Sequence, residues 1–256
     1  PLVTHNQVVG SKELIEQAYP LARACWEVGA PQIRNRGTIA GNLITASPAN
    51  DTITPLWALG ASVTLKSVRA ERTLPFFEFY TGVRKTAMAD DEMLIDISFP
   101  AMSDEEHGTF IKLALRRAQA ISVVNVAVIL EMHRDAIVKA KVTFGAVAPT
   151  IVRAPDIEKF LVGKSLVDSI INAAGELATV AARPIDDVRG PAEYRTEMLR
   201  VMTLRALRSI RDGTERADWP GTPPMLWGKT NGHFPTWPEP QVLTHTEDGS
   251  ETIETT

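Results

Sequence analysis

Apolar and polar residues recur along this chain at two periods, and the change from one to the other divides it. Near the start, Leu14, Ala18, Leu21, Ala22 and Cys25 fall at roughly helical spacing. Ser11 is placed to cap a short helix ending near Gln17, and Pro20 suits the first turn of a second that stops near Gly29. Asp51 and Thr52 precede a further helical run over 55–59, with Gly60 as its stop. Residues 62–68 alternate and are rich in β-branched side chains, which predicts a strand. The aromatic run 75–80 reads as a packed turn or short helix, and 93–99 as a strand closed by Pro100. An acidic stretch over 103–108 reads as a linker. Three strands are then expected at 109–115, 122–132 and 136–147, the last two joined by a hairpin-like turn at Arg134 and Asp135. Three helices follow: 155 to about 162, then 166–182 with Ser165 as cap and Asp168 at the third position, then 191–211 before Gly213.

Three meandering strands followed by three helices make an α+β unit distinct from the region before it. The predicted organisation is thus an α+β chain divided at 1–103, 104–212 and 213–256. The last segment is rich in Pro, Gly and Trp, then acidic and Thr-rich, and lacks periodicity. It is either disordered or a partner clamp built on Trp219, Trp227 and Trp237. The stripes Leu166/Ile170/Ile171/Ala174 and Tyr194/Met198/Val201/Met202 read as core faces.

Composition narrows the function classes. With 44% hydrophobic and 23% charged residues over 256 positions, the chain can bury a sizeable core. A net charge of −4 with interspersed arginines gives no basic stripe for nucleic acid. The single Cys25 excludes an intramolecular disulfide and a cysteine-held iron–sulfur cluster in this chain, and reads as a buried small residue on a helix. His5, His107, His133, His233 and His245 are too scattered for paired metal ligation, so no metal is expected. No run is long and apolar enough to span a bilayer, and residues 1–5 have neither a basic start nor a signal core, so a cytoplasmic location is expected.

The stretch 32–51 stands apart: Gln-Ile-Arg-Asn-Arg-Gly-Thr-Ile-Ala-Gly-Asn-Leu-Ile-Thr-Ala-Ser-Pro-Ala-Asn-Asp. Small residues, hydroxyls and amides crowd around one apolar pair, Leu43 and Ile44. Such a segment makes poor core but can lay backbone N–H groups against an anion such as a diphosphate. A tight structural turn is the alternative.

The order of these residues resembles the second flavin-binding segment of the FAD-binding medium subunit in the molybdenum hydroxylase family, which includes carbon monoxide and xanthine dehydrogenases. That pattern runs Gln-Ile-Arg-Asn-x-Gly-Thr-Ile-Gly-Gly-Asn, then Ala-Ser-Pro-x-x-Asp. Residues 32–42 fit it with one change, Ala40 for Gly, and 46–51 fit throughout. The resemblance implies that 1–103 is the remainder of a two-subdomain α/β, PCMH-like FAD domain and 104–212 the C-terminal α+β domain, a three-stranded antiparallel sheet with three helices. The family's first flavin segment has no match within 1–34, which implies that Pro1 falls inside the flavin domain and that the chain alone holds one half of an FAD site.

By the same resemblance, Thr38, Ile39, Ala40, Gly41 and Asn42 hold the diphosphate and ribityl chain, with Thr45 and Ser47 as hydroxyl donors. Ala40 would cost about 1 kcal/mol if its position required positive φ. Asp51 corresponds to a cofactor-binding aspartate that accepts from ribose or ribityl hydroxyls, its plain alternative being a helix N-cap. Val28 sits where some relatives place an apolar or aromatic contact. Tyr80-Thr81-Gly82-Val83-Arg84-Lys85-Thr86 and the downstream Leu94 match a second pattern, with Arg84 near the redox end and Leu94 an apolar contact. Lys112 matches a lysine facing the flavin ring, where a cation stabilises the reduced form's negative charge; read without the family, it is a solvated strand residue. Arg116-Arg117-Ala118-Gln119-Ala120 departs from relatives that carry an acid after the arginines, which leaves the acceptor open among NAD, a quinone and oxygen. The implied function is an electron-transfer subunit beside a large molybdopterin subunit and a small subunit with [2Fe–2S] clusters, in a dimer of heterotrimers. The rivals are a free-standing FAD oxidoreductase and a flavin-free scaffold.

Overall fold

The computed structural model describes residues 1–221 and 223, together with the backbone of 242–244 and 252–254. Six short helices open the chain: α1 (His5–Gly10), α2 (Lys12–Gln17), α3 (Tyr19–Glu27), α4 (Pro31–Arg36), α5 (Ile39–Ile44) and α6 (Ile53–Leu59). Helix α1 was not expected. Its signal is nevertheless local, since Thr4 and Gln7 form a reciprocal capping box. Ser11 caps α2 by accepting from the Leu14 N–H, and Pro20 lies in the first turn of α3, as read.

A small antiparallel sheet follows, with β1 (Ser62–Lys66) between β2 (Glu71–Pro75) and β5 (Met93–Ser98). The aromatic run forms the single turn α7 (Phe76–Phe79), leading into a hairpin of β3 (Tyr80–Gly82) and β4 (Lys85–Thr86). Strand β2 is mostly exposed and short of apolar residues, so no alternation announced it.

The second sheet is an antiparallel meander of β6 (Glu106–Ala114), β7 (Ser122–His133), β8 (Ala136–Gly145) and β9 (Val152–Arg153). The two-residue β9 adds a fourth strand to the three expected. Strand β6 begins inside the acidic stretch read as a linker, because Glu106 pairs with Glu131 on β7 while its carboxylate takes a 3.0 Å bond from Lys141. Helices α8 (Pro155–Leu161), α9 (Asp168–Ala181) and α10 (Ala192–Arg211) complete the unit. Ser165 does not cap α9. Gly163 and Lys164 exchange backbone bonds with Ile137 at the start of β8, which keeps the chain extended until Val167 becomes the cap.

Strand β7 explains how the two halves join. Ala127 and Ile129 pack with Leu56, Val63 and Phe110 in one core, whereas Val124, Val126, Val128 and Leu130 pack with Ile171, Leu199 and Leu207 in the other. Period-two geometry sends alternate side chains to opposite faces, and both faces are covered, so the middle of the strand, 126–130, is apolar without a break. Helix α6 lies on β7 and β8, and α3 lies on β6. In the last segment, Val242–Thr244 and Thr252–Glu254 pair antiparallel, while Trp227 and Trp237 lie outside the described residues.

Candidate functional site

The 32–51 stretch is two helical turns with a closing loop, where an open anion-cradling loop was expected. Thr38 caps α5, accepting from the Gly41 N–H at 3.0 Å. Helical geometry then sorts the motif by face: Ile39, Ala40 and Leu43 are buried, while Gly41 and Thr45 are exposed and Asn42 and Ser47 are partly so. Ala40 is not among the positive-φ residues, and its methyl group lies in the core. The Ala-for-Gly change is therefore harmless here, because the methyl group points away from the polar face. A Cβ at Gly41 would meet only Thr38 Oγ1, at 3.0 Å, so its backbone is open to close approach from outside.

Asn42 ties this face together. Its carbonyl accepts from the Asn50 side chain at 2.5 Å, and its own Oδ1 accepts from the Thr52 hydroxyl at 2.6 Å. Thr45 Oγ1 accepts from Asn50 at 2.6 Å, and Ser47 Oγ accepts from the Ala49 N–H at 3.3 Å. The β3–β4 hairpin docks alongside: the Tyr80 hydroxyl donates to the Leu43 carbonyl at 3.3 Å, and the Arg84 N–H to the Ala46 carbonyl at 3.1 Å. Both Ala46 and Arg84 have positive φ, 47° and 54°. Such left-handed backbone is uncommon for residues with a side chain and is tolerated where the surroundings fix it.

Asp51 and Lys112 meet in the interior. Lys112 Nζ lies 2.6 Å from Asp51 Oδ2, and Ser122 on β7 donates to Asp51 Oδ1 at 2.6 Å. Lys112 also donates to the Glu27 carbonyl at the end of α3, at 3.0 Å. The two side chains are only 4% and 8% exposed. Lys112 is thus no solvated strand residue, and Asp51 is no N-cap: Thr52 occupies that position, and both carboxylate oxygens are turned to Ser122 and Lys112. Burial pushes the Asp51 carboxyl above its ordinary value of 3.8, while Lys112 and Ser122 pull it back. An ammonium has three donors and only two are used among the described residues, which leaves one for a further acceptor.

A cavity of about 850 Å³ opens beside Lys112, lined by Trp26, Glu27, Arg34, Arg116, Arg117 and Arg205 among others. Arg34, itself 4% exposed, donates to Asn6 Oδ1, Trp26 O and Val28 O, with its guanidinium 4.5 Å over the Trp26 ring. Val28 ends α3 at the cavity rim next to Gly29. Leu94 is placed differently: its side chain is 1% exposed, in the core of the first unit, and does not line this cavity. Ser122 and the Glu27 carbonyl were missed by the sequence reading. A serine opening an apolar strand gives no sign of its partner, and any carbonyl can accept.

Two family profiles divide the chain: residues 1–102 match the FAD binding domain in molybdopterin dehydrogenase, and 109–210 the CO dehydrogenase flavoprotein C-terminal domain. The medium subunit of nicotine 6-hydroxylase from Paenarthrobacter nicotinovorans is 31% identical over 81% of this chain and 72% of its own length. The medium chain of carbon monoxide dehydrogenase from Afipia carboxidovorans is 32% identical over 82% and 73%. The chain belongs to the FAD-binding medium subunits of the molybdenum hydroxylase family. As such it is an oxidoreductase subunit, and its first 102 residues form an FAD-binding domain.

Solved structures of this medium-subunit family share its fold. A cyanide-inactivated Cu,Mo-CO dehydrogenase superposes with a TM-score of 0.78 at 31% identity, covering 82% of this chain and 73% of that one. Quinoline 2-oxidoreductase from Pseudomonas putida 86 gives 0.78 at 26%, covering 83% and 74%. The residues present fit an FAD: the outward face of α5 offers Gly41 backbone, Asn42 and Thr45, and the buried ammonium of Lys112 keeps a donor to spare. Among the described residues, no three His, Cys, Asp or Glu side chains converge on a metal position, and no helix is long and apolar enough to cross a membrane.

Proposed function

We propose that this chain is the flavin-bearing electron-transfer subunit of a molybdenum hydroxylase complex, taking electrons from the [2Fe–2S] clusters of a small subunit and passing them to an external acceptor, with substrate oxidised on a large molybdopterin subunit. The assembly proposed is a dimer of heterotrimers. One observation carries the reading. Asp51 and Lys112, assigned to the cofactor from separate motifs 61 positions apart, lie 2.6 Å from each other.

FAD, when bound, supplies one-electron acceptance and two-electron donation in one group. This chain supplies binding and field. The segment of Thr38, Ile39, Ala40, Gly41 and Asn42 receives the diphosphate, the bare Gly41 allowing close approach, with Thr45 and Ser47 beside it. Asp51 accepts from a sugar or ribityl hydroxyl and Arg84 stands toward the redox end, while Leu94, buried in the core of the first unit, supports the site only by packing. Lys112, pinned by Asp51 and the Glu27 carbonyl, presents a fixed positive charge in a site shielded from water, where charge is stabilised more strongly than in solvent.

Lys112→Met in the purified complex tests this. The flavin absorbance should persist while the midpoint potential falls by tens of millivolts, about 30 mV for each 1.4 kcal/mol of lost stabilisation of the two-electron reduced form. An unchanged potential refutes the role of Lys112. An intact complex without flavin would favour the scaffold reading.

A further inference from the structure

The matched family domains end at residue 210, yet the chain beyond α10 folds back across the first unit. Gly213, at φ 62°, turns the backbone, and residues 214–219 then contact β6, α2 and α3 in succession. Glu215 sits 3.4 Å from His107 on β6. Arg216 donates to the Ile15 and Glu16 carbonyls at 2.9 and 3.1 Å, and its guanidinium lies 4.6 Å over the Tyr19 ring. Asp218 pairs with Arg23 at 2.7 Å. Trp219 sits on α3, its ring 5.6 Å from that of Tyr19 and 6.2 Å from that of Trp26.

These contacts converge on α3, whose Glu27 carbonyl accepts from Lys112. Arg23 bridges Asp218 on one side and Glu27 at 2.8 Å on the other, and the Glu27 carbonyl accepts from Lys112. Trp219 covers Tyr19 and Trp26, the two aromatic side chains at the start and near the end of the same nine-residue helix. The end of α3 is also held by Arg34, which donates to the Trp26 and Val28 carbonyls, and by its packing against β6. Six residues after the last family helix therefore brace, together with Arg34, the helix end that carries the Glu27 carbonyl, and through it the ammonium of Lys112.

We infer that residues 214–219 are a clasp between the two units, with Asp218 and Trp219 as positioning residues for Lys112. The consequence for the flavin rests on the function proposed above; the positioning of Lys112 does not. Acetylation of the intact complex with limiting acetic anhydride, read by mass spectrometry at Lys112 and at the exposed Lys66, separates the two. Trp219→Ala should raise labelling of Lys112 several-fold with Lys66 unchanged. Asp218→Asn, which removes only a surface charge, should raise it less, and Asp218→Glu should restore protection. The flavin potential of Trp219→Ala should shift in the direction of Lys112→Met, and the double variant should shift no further than Lys112→Met alone. Labelling of Lys112 unchanged in both Trp219→Ala and Asp218→Asn overturns the clasp, as does an additive potential shift in the double variant. If Lys112→Met leaves the potential unmoved, the role of Lys112 toward the flavin fails and the labelling alone decides the clasp.

Discussion

Removing Lys112 should destabilise the fold by an amount that depends on pH in a direction fixed by Asp51. In Lys112→Met the Asp51 carboxylate, 6% exposed, keeps only the Ser122 hydroxyl. Breaking one side of a buried pair costs about 3–5 kcal/mol, because the other charge is left without compensation. Asp51 limits that cost by taking up a proton. Neutral pH lies roughly 3 units above its ordinary value of 3.8, and each unit is worth about 1.4 kcal/mol, so the ceiling is about 4 kcal/mol. This fits within a total stability of about 5–15 kcal/mol, and the fold should survive.

The carboxyl is already raised in the folded state, and loss of Lys112 raises it further. A group raised on folding contributes stability that is present below its unfolded value and lost as pH climbs through the folded one. The deficit of the variant relative to wild type should therefore be small near pH 4 and grow toward about pH 7. Urea unfolding of wild type, Lys112→Met, Asp51→Leu and Lys112→Met/Asp51→Leu at three pH values provides the assay. The double variant should lie within about 1 kcal/mol of wild type, the remainder reflecting the orphaned Ser122 hydroxyl, with a coupling energy above about 2 kcal/mol. A pH-independent loss below about 1 kcal/mol in Lys112→Met, or a double variant as unstable as the two singles summed, would refute this account.

Two further outcomes follow from buried positions. His5 is held down to about 4 by burial and then by the neighbouring Arg34, so its share of stability is present above 6.5 and lost as pH falls through 4. That share is about 3 kcal/mol, and His5→Phe should flatten the drop in melting temperature between pH 7 and about 4.5. Ala40→Gly, which restores the family residue, should lower stability by about 1 kcal/mol in urea and leave flavin retention by the complex unchanged, since the position is helical and its methyl group faces the core. Tighter flavin retention at equal stability would contradict that placement.

Elements with a local signal were legible, and those settled by remote partners were not. The hairpin at Arg134 and Asp135 could be placed from two apolar runs, and the structure adds the positive φ of Arg134 that turns it. Strands β2 and β9 carry too little apolar pattern to be found alone, and each exists because a neighbour offers backbone partners. Ser165 had the right spacing for a cap, but the bonds of Gly163 and Lys164 to Ile137 held the chain out of the helix. At the site, residue types were readable and relations were not. Whether Asp51 caps α6 or faces a lysine is decided by Lys112, and whether Ala40 strains the backbone is decided by the helix that Thr38 starts.

The location of the ion pair bears on why it exists. Asp51 lies in the first matched domain and Lys112 in the second, so the pair forms only when the domains are docked. Docking itself does not need it: Phe110, Ala127, Ile129 and Ile151 of the second unit are already buried against Leu56, Val63 and their neighbours of the first. Apolar burial at about 25 cal/mol per Å² supplies that attachment, whereas two desolvated charges are close to neutral relative to a well-packed apolar pair. A pair that adds so little to attachment, and that keeps one ammonium donor unspent, is better explained by what it presents than by what it fastens. The apolar seam brings the two domains together, and the charge placed in that seam makes the pocket chemically specific.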